Sequence, residues 1–302
     1  MMHRMLFVLA LLGATLLGCE RGSQVKGPRF GPTPPVAGTA VYSLAVHPLH
    51  NPVKLTQAYQ PLVDHLNNRL RGARLALEAS RDYANFEGKY RIRKPEFLLA
   101  NPWQTLQAMK NGYRVIAMAG EPRDFKGIFV ARRDGPLTRP LDLRGKRVSY
   151  PSPTALAACV MPQFFLHQHG INVAKDIENR YVGSQESSIL NVYLGLTTAG
   201  ATWPPPWRAF QKDHPREAAE LKVIWETESL VNNSVMARDD VPSQVVEQVR
   251  ALLLGLGDTP EGEAILTGIE TSRFLPAANE DYDIVRRYVS RFEQKVRRVD
   301  QP

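Results

Sequence analysis

The segment GKRVSYPSPTALAACVMP, residues 145–162, contains the change from strand to helix on which the fold prediction depends. Its first six residues form a short apolar and basic run that is typical of a β-strand. Ser152 then stands where a helix N-cap is expected, and Pro153 at the first helical position, where its missing N–H is tolerated. The hydroxyls of Ser152 and Thr154 have two interpretations: they only cap the helix, or the first helical turn holds an anion.

A second segment, GSQESSILNVYLG at residues 183–195, repeats this pattern. Ser184 is expected to cap a helix whose first turn contains Gln185 and Glu186. Glu186 favours the helix dipole in that position, or it accepts a hydrogen bond from a protonated oxyanion and so selects among anions. If both helices begin at one cleft, two positive helix ends converge there.

The rest of the chain alternates short apolar runs with helical patterns, which indicates an α/β fold. In residues 53–70 the positions Leu55, Tyr59, Leu62, Val63, Leu66 and Leu70 fall on one helical face, interrupted by Pro61. One series of strands and helices ends near residues 132–140 and a second then begins. We therefore expect two lobes and a ligand cleft lined by strand ends and helix N-termini.

Polar and aromatic residues follow strands in the first half of the chain, at Tyr83, Asn101 and Trp103. A tyrosine or tryptophan presents a polar tip on a large apolar body, which suits a face that closes over a ligand. His47 also follows a strand and is expected near the cleft. For the segment WPPPW, which runs from Trp203 to Trp207, we expect a stiff polyproline-like turn that walls the pocket, docks a partner or shapes a surface loop.

The N-terminus predicts export. Residues 1–18, MMHRMLFVLALLGATLLG, combine a basic start with an apolar core of signal-peptide length, and Leu16–Cys19 resembles a bacterial lipobox. The alternative is an ordinary cleaved signal with Cys19 nearby by chance. Residues 19–39 are rich in glycine, proline and charge, and indicate a flexible tether. If Cys19 carries lipid, Cys159 has no disulfide partner.

Several functional classes are disfavoured by the sequence. The formal net charge is +8, but the basic residues are scattered, so a nucleic-acid surface is weakly supported. GSQES lacks the final glycine of the nucleophile elbow G-x-S-x-G, which argues against a serine hydrolase. His167 and His169 lie on different helical faces, which argues against a metal site there. We therefore expect no catalytic residues, metal or cofactor.

The runs HPLHNPVKLTQAYQPLVDHL, ASRDY, ANPWQTL, DLRGKRVSYPSPTA and GSQESSILNVYLG…AGATW together resemble the phosphate-, phosphite- and phosphonate-binding proteins of ABC importers. These are the PhnD-like members of the type II periplasmic binding protein superfamily, and the resemblance covers roughly residues 40–295. It implies two Rossmann-like lobes, joined by two hinge strands, that close on an oxyanion.

The resemblance also implies site residues. The family's Ser-Thr-Ser-like loop matches Pro153–Ala155, so only Thr154 keeps its hydroxyl and Ser152 is a possible substitute. A family tyrosine matches Tyr83, and an aromatic residue matches Trp103, beside Asn101. A family histidine is replaced by Gln185, followed by Glu186. Where the family has carboxylates for a ligand amine, this chain has WPPPW and Asn232–Asn233, so phosphate, phosphite or a small organic oxyanion fits better than an aminoalkylphosphonate.

The sequence thus predicts a lipid-anchored periplasmic protein, monomeric, that delivers a small oxyanion to an inner-membrane ABC permease. The alternative is a sensory protein that presents its ligand-bound form to a receptor kinase. The expected first lobe comprises residues 40–133 and 232–302, and the second comprises residues 134–231. The predicted ligand-binding residues are Tyr83, Asn101, Trp103, Ser152, Thr154, Ala155, Ser184, Gln185, Glu186 and Trp203.

Overall fold

Two β-sheets organise residues 39–301, the part of the chain that the computed structural model describes. The signal peptide, Cys19 and almost all of the predicted tether lie outside these residues. The strands are β1 Ala40–Val46, β2 Ala73–Glu78, β3 Phe97–Ala100, β4 Tyr113–Ala119, β5 Lys126–Arg132, β6 Arg147–Tyr150, β7 Glu178–Tyr181, β8 Ala199–Thr202, β9 Leu221–Ser229, β10 Asn233–Arg238 and β11 Phe274–Leu275.

Helices pack around both sheets. They are α1 Pro52–Asn67, α2 Tyr83–Arg91, α3 Pro102–Met109, α4 Met161–Gln168, α5 Gln185–Tyr193, α6 Pro204–Asp213, α7 Pro215–Ala219, α8 Ser243–Leu254, α9 Pro260–Gly268 and α10 Asp283–Lys295. A π-helical turn, Leu156–Val160, leads directly into α4 and is called the π turn below. No helix among residues 39–301 is long and apolar enough to cross a membrane.

The first sheet has the strand order β11-β4-β10-β3-β1-β2, and the second has the order β7-β6-β8-β5-β9. In each sheet, parallel strands lie beside antiparallel ones: β1 pairs in parallel with β2 and β3, and β6 pairs in parallel with β7 and β8. The sheets define a first and a second lobe. This architecture confirms the predicted α/β fold with two lobes.

The strand β5 lies in the second sheet, between β8 and β9. The expected first-lobe range of 40–133 had included these residues, and the structure corrects this. An apolar run at a predicted lobe boundary does not reveal which sheet it will join. The chain instead passes between the sheets at residues 120–125 and returns at residues 230–232.

These two crossing segments are hydrogen-bonded to each other. Leu230 donates its N–H to the Phe125 carbonyl at 2.9 Å, and the Asn232 side chain donates to the Glu121 carbonyl at 2.9 Å. Gly120 has a φ of +97°, and a Cβ built there would lie 2.7 Å from Asn232 Nδ2. The pair of crossings is therefore closely packed, as expected of a hinge through which two lobes move.

The C-terminal residues also reach the second lobe. Arg297 donates to Gln163 Oε1 at 2.8 Å and to the Pro153 carbonyl at 3.1 Å. On α10, the Tyr288 ring meets Phe164 edge-on at 5.3 Å. The chain end thus contacts the loop that precedes the π turn.

The predicted polyproline-like turn at WPPPW is wrong. Pro204 to Pro206 occupy the first turn of α6, with Trp203 at the N-cap. The first N–H groups of a helix have no intrahelical partner, so prolines are tolerated there, and their fixed φ suits the helix. Three consecutive prolines are thus compatible with a helix start, and the sequence alone does not exclude either conformation.

Close packing holds the π turn against β5. A Cβ added at Gly127 would lie 2.4 Å from the Ala157 carbonyl and 2.8 Å from Pro162. We predict that Gly127→Ala lowers the free energy of unfolding by about 1–3 kcal/mol, because backbone must shift. Gly88 in α2 is the matched control: a Cβ added there would have no atom within 4 Å, so Gly88→Ala raises stability by about 0.5–1 kcal/mol. Urea unfolding of both variants measures the difference, and equal stabilities would contradict the tight packing.

Candidate ligand-binding site

A small, partly open cavity lies between the two lobes, and its accessible volume is about 10 Å³, room for about one water molecule. We call it the interlobe cavity. Its lining comprises His47, Tyr83, Asn101, Phe125, Ala155, Leu156, Ala157, Ala158, Gln185, Trp203 and Asn233. His47, Tyr83 and Asn101 follow the carboxyl ends of three parallel strands, where open α/β sheets place ligands. A wider groove between α1 and α9 contains none of the predicted site residues.

The π turn presents its amino end to this cavity. Val160 donates its N–H to the Ala155 carbonyl at 3.2 Å, five residues back. The N–H groups of residues 156–159 therefore come before the first hydrogen bond of the turn and have no partner within it. An α-helix that began at the same residue would leave only three N–H groups without a partner. Unpaired amides and the helix dipole both favour an anion at such an end.

The predicted start of this helix at Ser152 and Pro153 is wrong by three residues. Ala155 donates its N–H to the Ser152 carbonyl at 3.2 Å, which closes a turn, and the helix begins at Leu156 with Ala155 at the N-cap. The alanine side chain has no atom that can accept a cap hydrogen bond, so a prediction based on capping residues places the N-cap at Ser152. Ala155 itself lines the cavity.

The hydroxyls of Ser152 and Thr154 are directed at other side chains. Thr154 Oγ1 lies 3.0 Å from Ser152 Oγ and donates to Glu87 Oε1 at 2.6 Å. Neither residue belongs to the cavity lining. Glu87 is on α2 in the first lobe, so this hydrogen bond connects the two lobes beside the site. Burial raises the pKa of the Glu87 carboxyl, and the hydrogen bond from Thr154 partly opposes this effect.

The second predicted helix start is confirmed. Ser184 Oγ accepts a hydrogen bond from the Ser187 N–H at 3.0 Å, and α5 begins at Gln185. Gln185 lines the cavity, but Ser184 and Glu186 do not. Glu186 Oε1 lies 3.0 Å from His214 Nε2 and forms an ion pair when that histidine is protonated.

Tyr83 and Gln185 meet across the cavity. Gln185 Oε1 accepts from Thr202 Oγ1 at 2.8 Å, and its Nε2 donates to Tyr83 Oη at 3.1 Å. The Tyr83 oxygen is thus an acceptor in this contact, and its own proton remains for a ligand. Burial raises the Tyr83 pKa, so the phenol is neutral and can donate.

Asn101 and the two predicted tryptophans differ in position. Asn101 Oδ1 caps α3 and its Nδ2 donates to the Thr154 carbonyl at 3.4 Å, so this cavity residue also joins the lobes. Trp203 lines the cavity and packs on Phe125 with ring centroids 5.4 Å apart. Trp103 is buried outside the lining, in the hydrophobic core.

Three groups at or beside the site were not identified from the sequence: Phe125, the backbone of residues 156–158, and Glu87. Glu87 follows Tyr83 by four positions and so shares its helical face with buried aromatic residues. A carboxylate on an apolar face was the available signal. The other two depend on tertiary packing and left no local pattern.

Ion pairs tie α6 to the first lobe at the edge of the cleft. Lys54 on α1 pairs with Asp213, and Arg208 Nε pairs with Glu270 Oε2 at 2.9 Å. These side chains are partly exposed, so each pair contributes at most about 1 kcal/mol. They bring α6, and with it Trp203, against the opposite lobe.

The family model for the periplasmic substrate-binding protein of phosphonate ABC transporters matches residues 44–282. A curated relative, the probable ABC transporter phosphite-binding protein PhnD1 of Prochlorococcus marinus, is 24% identical over 181 residues. That alignment covers 56% of this chain and 61% of the relative, less than two thirds of its length.

Two solved structures share the fold. The binding protein component of a Pseudomonas aeruginosa ABC phosphonate transporter superposes with a TM-score of 0.78 at 14% identity, covering 85% of this chain and 88% of that one. PhnD1 of Prochlorococcus marinus in complex with methylphosphonate gives a TM-score of 0.75 at 19% identity, covering 84% and 98%. At these identities the likeness shows the fold, that of a type II periplasmic binding protein.

The Glu87 carboxyl generates a pH-dependent prediction. Its folded-state pKa is raised, so the wild-type protein loses stability as pH rises through that pKa, whereas Glu87→Gln does not. Glutamine still accepts from Thr154. We expect the melting temperature of Glu87→Gln, minus that of the wild type, to increase from pH 4 to pH 8. Thermal unfolding at several pH values tests this, and a difference that shrinks with pH would refute it.

Proposed function

Since the chain belongs to the family of periplasmic substrate-binding proteins of ABC phosphonate transporters, we propose that it captures a small tetrahedral oxyanion in the interlobe cavity. The members of this family bind substrates for transport and are not enzymes. Phosphonate or phosphite is the proposed ligand, as the names of the relatives suggest. An inner-membrane ABC permease is the proposed partner.

One observation supports this proposal above the others: residues 155–158 line the interlobe cavity, and the N–H groups of residues 156–159 come before the first hydrogen bond of the π turn. A helix end contributes about 0.3–1 kcal/mol to anion binding, and up to ~2 kcal/mol when partly buried. Each hydrogen bond to a charged group adds about 1.5–3 kcal/mol. Several such donors suffice for micromolar binding.

The lobes are proposed to move about the two crossing segments, residues 120–125 and 230–232. In this proposal the first lobe comprises residues 40–119 and 233–295, and the second comprises residues 126–229. The contacts of Thr154 with Glu87 and of Gln185 with Tyr83 form when the lobes meet. The ligand is then enclosed and the closed form is presented to the permease.

The predicted site residues divide in this proposal. Tyr83, Asn101, Ala155, Gln185 and Trp203 line the cavity and are proposed to contact the ligand. Ser152 and Thr154 are proposed to hold the lobes together through Glu87. Ser184 positions α5 as its cap, and Trp103 packs in the core.

Tyr83 is the side chain whose role is most directly testable. We predict that Tyr83→Phe weakens binding of methylphosphonate or phosphite by about 10- to 100-fold, because one hydrogen bond to a charged ligand is lost. Tyr90→Phe is the matched control: it lies two helical turns away on α2, outside the cavity lining, and its buried hydroxyl has no partner. Isothermal titration calorimetry measures both. Equal affinities for the two variants would remove Tyr83 from the site.

Membrane attachment is proposed from the sequence of residues 16–19. We propose that residues 1–18 are removed and that Cys19 is acylated, which leaves the protein periplasmic and tethered. Cys19→Ser is predicted to abolish incorporation of labelled palmitate in bacterial cells and to release the protein from the membrane fraction. Cys159→Ser, which alters a buried cysteine, is the control and keeps the label. Label retained by Cys19→Ser would exclude this anchor.

A further inference from the structure

A histidine and an asparagine form a buried pair in the interlobe cavity. Asn233 Nδ2 lies 3.2 Å from His47 Nε2, and the two side chains are 3% and 2% exposed. One polar atom of each side chain, His47 Nδ1 and Asn233 Oδ1, is buried without a hydrogen-bond partner. A buried polar atom without a hydrogen-bond partner destabilises a protein, so such a pair in a cavity points to a ligand that completes it.

The protonation of this pair follows from its geometry. In the orientation that the structure gives the Asn233 amide, Nδ2 faces His47 Nε2 and donates to it, so the ring proton is assigned to Nδ1. Burial, followed by the nearby His50, lowers the pKa of His47 to about 3, which keeps the ring neutral. The pair therefore offers one donor, His47 Nδ1–H, and one acceptor, Asn233 Oδ1. An acceptor is unexpected beside an oxyanion, whose unprotonated oxygens only accept.

The electrostatics of the cavity explain why an acceptor is useful. All eleven lining residues are uncharged when His47 is neutral. The Born desolvation energy of an ion rises with the square of its charge, so a buried dianion is far more costly than a monoanion without a counter-charge. A singly protonated oxyanion carries one charge and one O–H donor. The single charge suits a cavity without a counter-charge, and the O–H donor suits the unpaired acceptor Asn233 Oδ1.

We propose that Asn233 Oδ1 accepts the remaining proton of a monoanionic oxyanion and thereby selects phosphonate or phosphite over fully ionised sulfonates. This inference rests on the proposed function and specifies the charge state of its ligand. The sequence had suggested Glu186 as such an acceptor, but Glu186 contacts His214 and does not line the cavity.

The titratable groups around the pair bear on any pH experiment. They are His47 and His50 after β1, Tyr59 on α1, Tyr83 and Glu87 on α2, Asp124 on the first crossing, Cys159 in the π turn and Glu270 after α9. Burial lowers the pKa of His50 to about 4 and raises the pKa of Cys159 to about 12. Burial raises the pKa of Glu87, so a control variant must separate the titration of this carboxyl from that of the ligand.

Calorimetry of the purified wild-type protein tests the proposal without any substitution. Between pH 5.5 and 9, the affinity for methylphosphonate should fall about tenfold per pH unit above the second ionisation of the ligand, because only the monoanion binds. Methanesulfonate, which has the same shape and no proton, should bind at least 100-fold more weakly at pH 6. Constant affinity across this pH range, or equal affinity for the two ligands, overturns the proposal.

Two variants assign the effect to Asn233. Asn233→Leu removes the amide in a similar volume and should reduce the preference for methylphosphonate over methanesulfonate by at least tenfold. Asn191→Leu replaces a half-buried asparagine that bonds to the Ser187 carbonyl, outside the cavity, and should keep the wild-type preference. An unchanged preference in Asn233→Leu overturns the assignment. Glu87→Gln should keep the pH slope, and loss of the slope would attribute it to Glu87.

Two further ligands separate this inference from the proposed function. Aminomethylphosphonate offers an N–H donor, but among residues 39–301 no carboxylate lines the cavity, so it should bind more weakly than methylphosphonate. Stronger binding would overturn selection by an O–H donor. Phosphite tests the site itself: if neither phosphite nor methylphosphonate binds at any pH, the proposed function fails. If both bind but sulfonate binds equally well, only the role of Asn233 fails.

Discussion

The proposed function requires a buried negative charge to be stabilised without a positive side chain. The described residues that line the interlobe cavity are neutral, so under the proposed function backbone amides, a phenol and side-chain amides together replace water around the ligand. Dipoles of this kind act at short range and only where they are held in place. The π turn supplies several of these dipoles through its N–H groups. Its orientation is fixed by its packing against β5 and by the contact of Arg297 with the preceding loop.

The same requirement accounts for the contacts between the lobes. Neutral dipoles stabilise an anion well only when water is excluded, and exclusion requires both lobes to meet. Hydrogen bonds such as Tyr83 with Gln185 and Glu87 with Thr154 combine residues from opposite lobes beside the cavity. The buried Glu87 carboxyl makes one of these contacts dependent on pH.

Much of the fold was predictable because it follows local patterns. The apolar face of α1 and the Ser184 cap of α5 are each determined by residues close together in the sequence, and the structure confirms both. The start of the π turn was not predictable from capping residues, because the Ala155 side chain makes no cap hydrogen bond and a preceding turn displaces the helix start. The direction of the Thr154 hydroxyl, the sheet that β5 joins and the neighbours of Asn233 depend on distant residues, which local sequence does not encode.

A consequence of the π turn concerns how affinity changes over evolutionary time. Such a turn is rarely stable by itself, and here residues 156–160 persist because they are buried in the core. Under the proposed function, ligand affinity therefore depends also on the apolar core residues that pack against the π turn and do not line the cavity. Under the proposed function, substitutions at these core positions would alter anion recognition over evolutionary time even when every residue that lines the cavity stays the same.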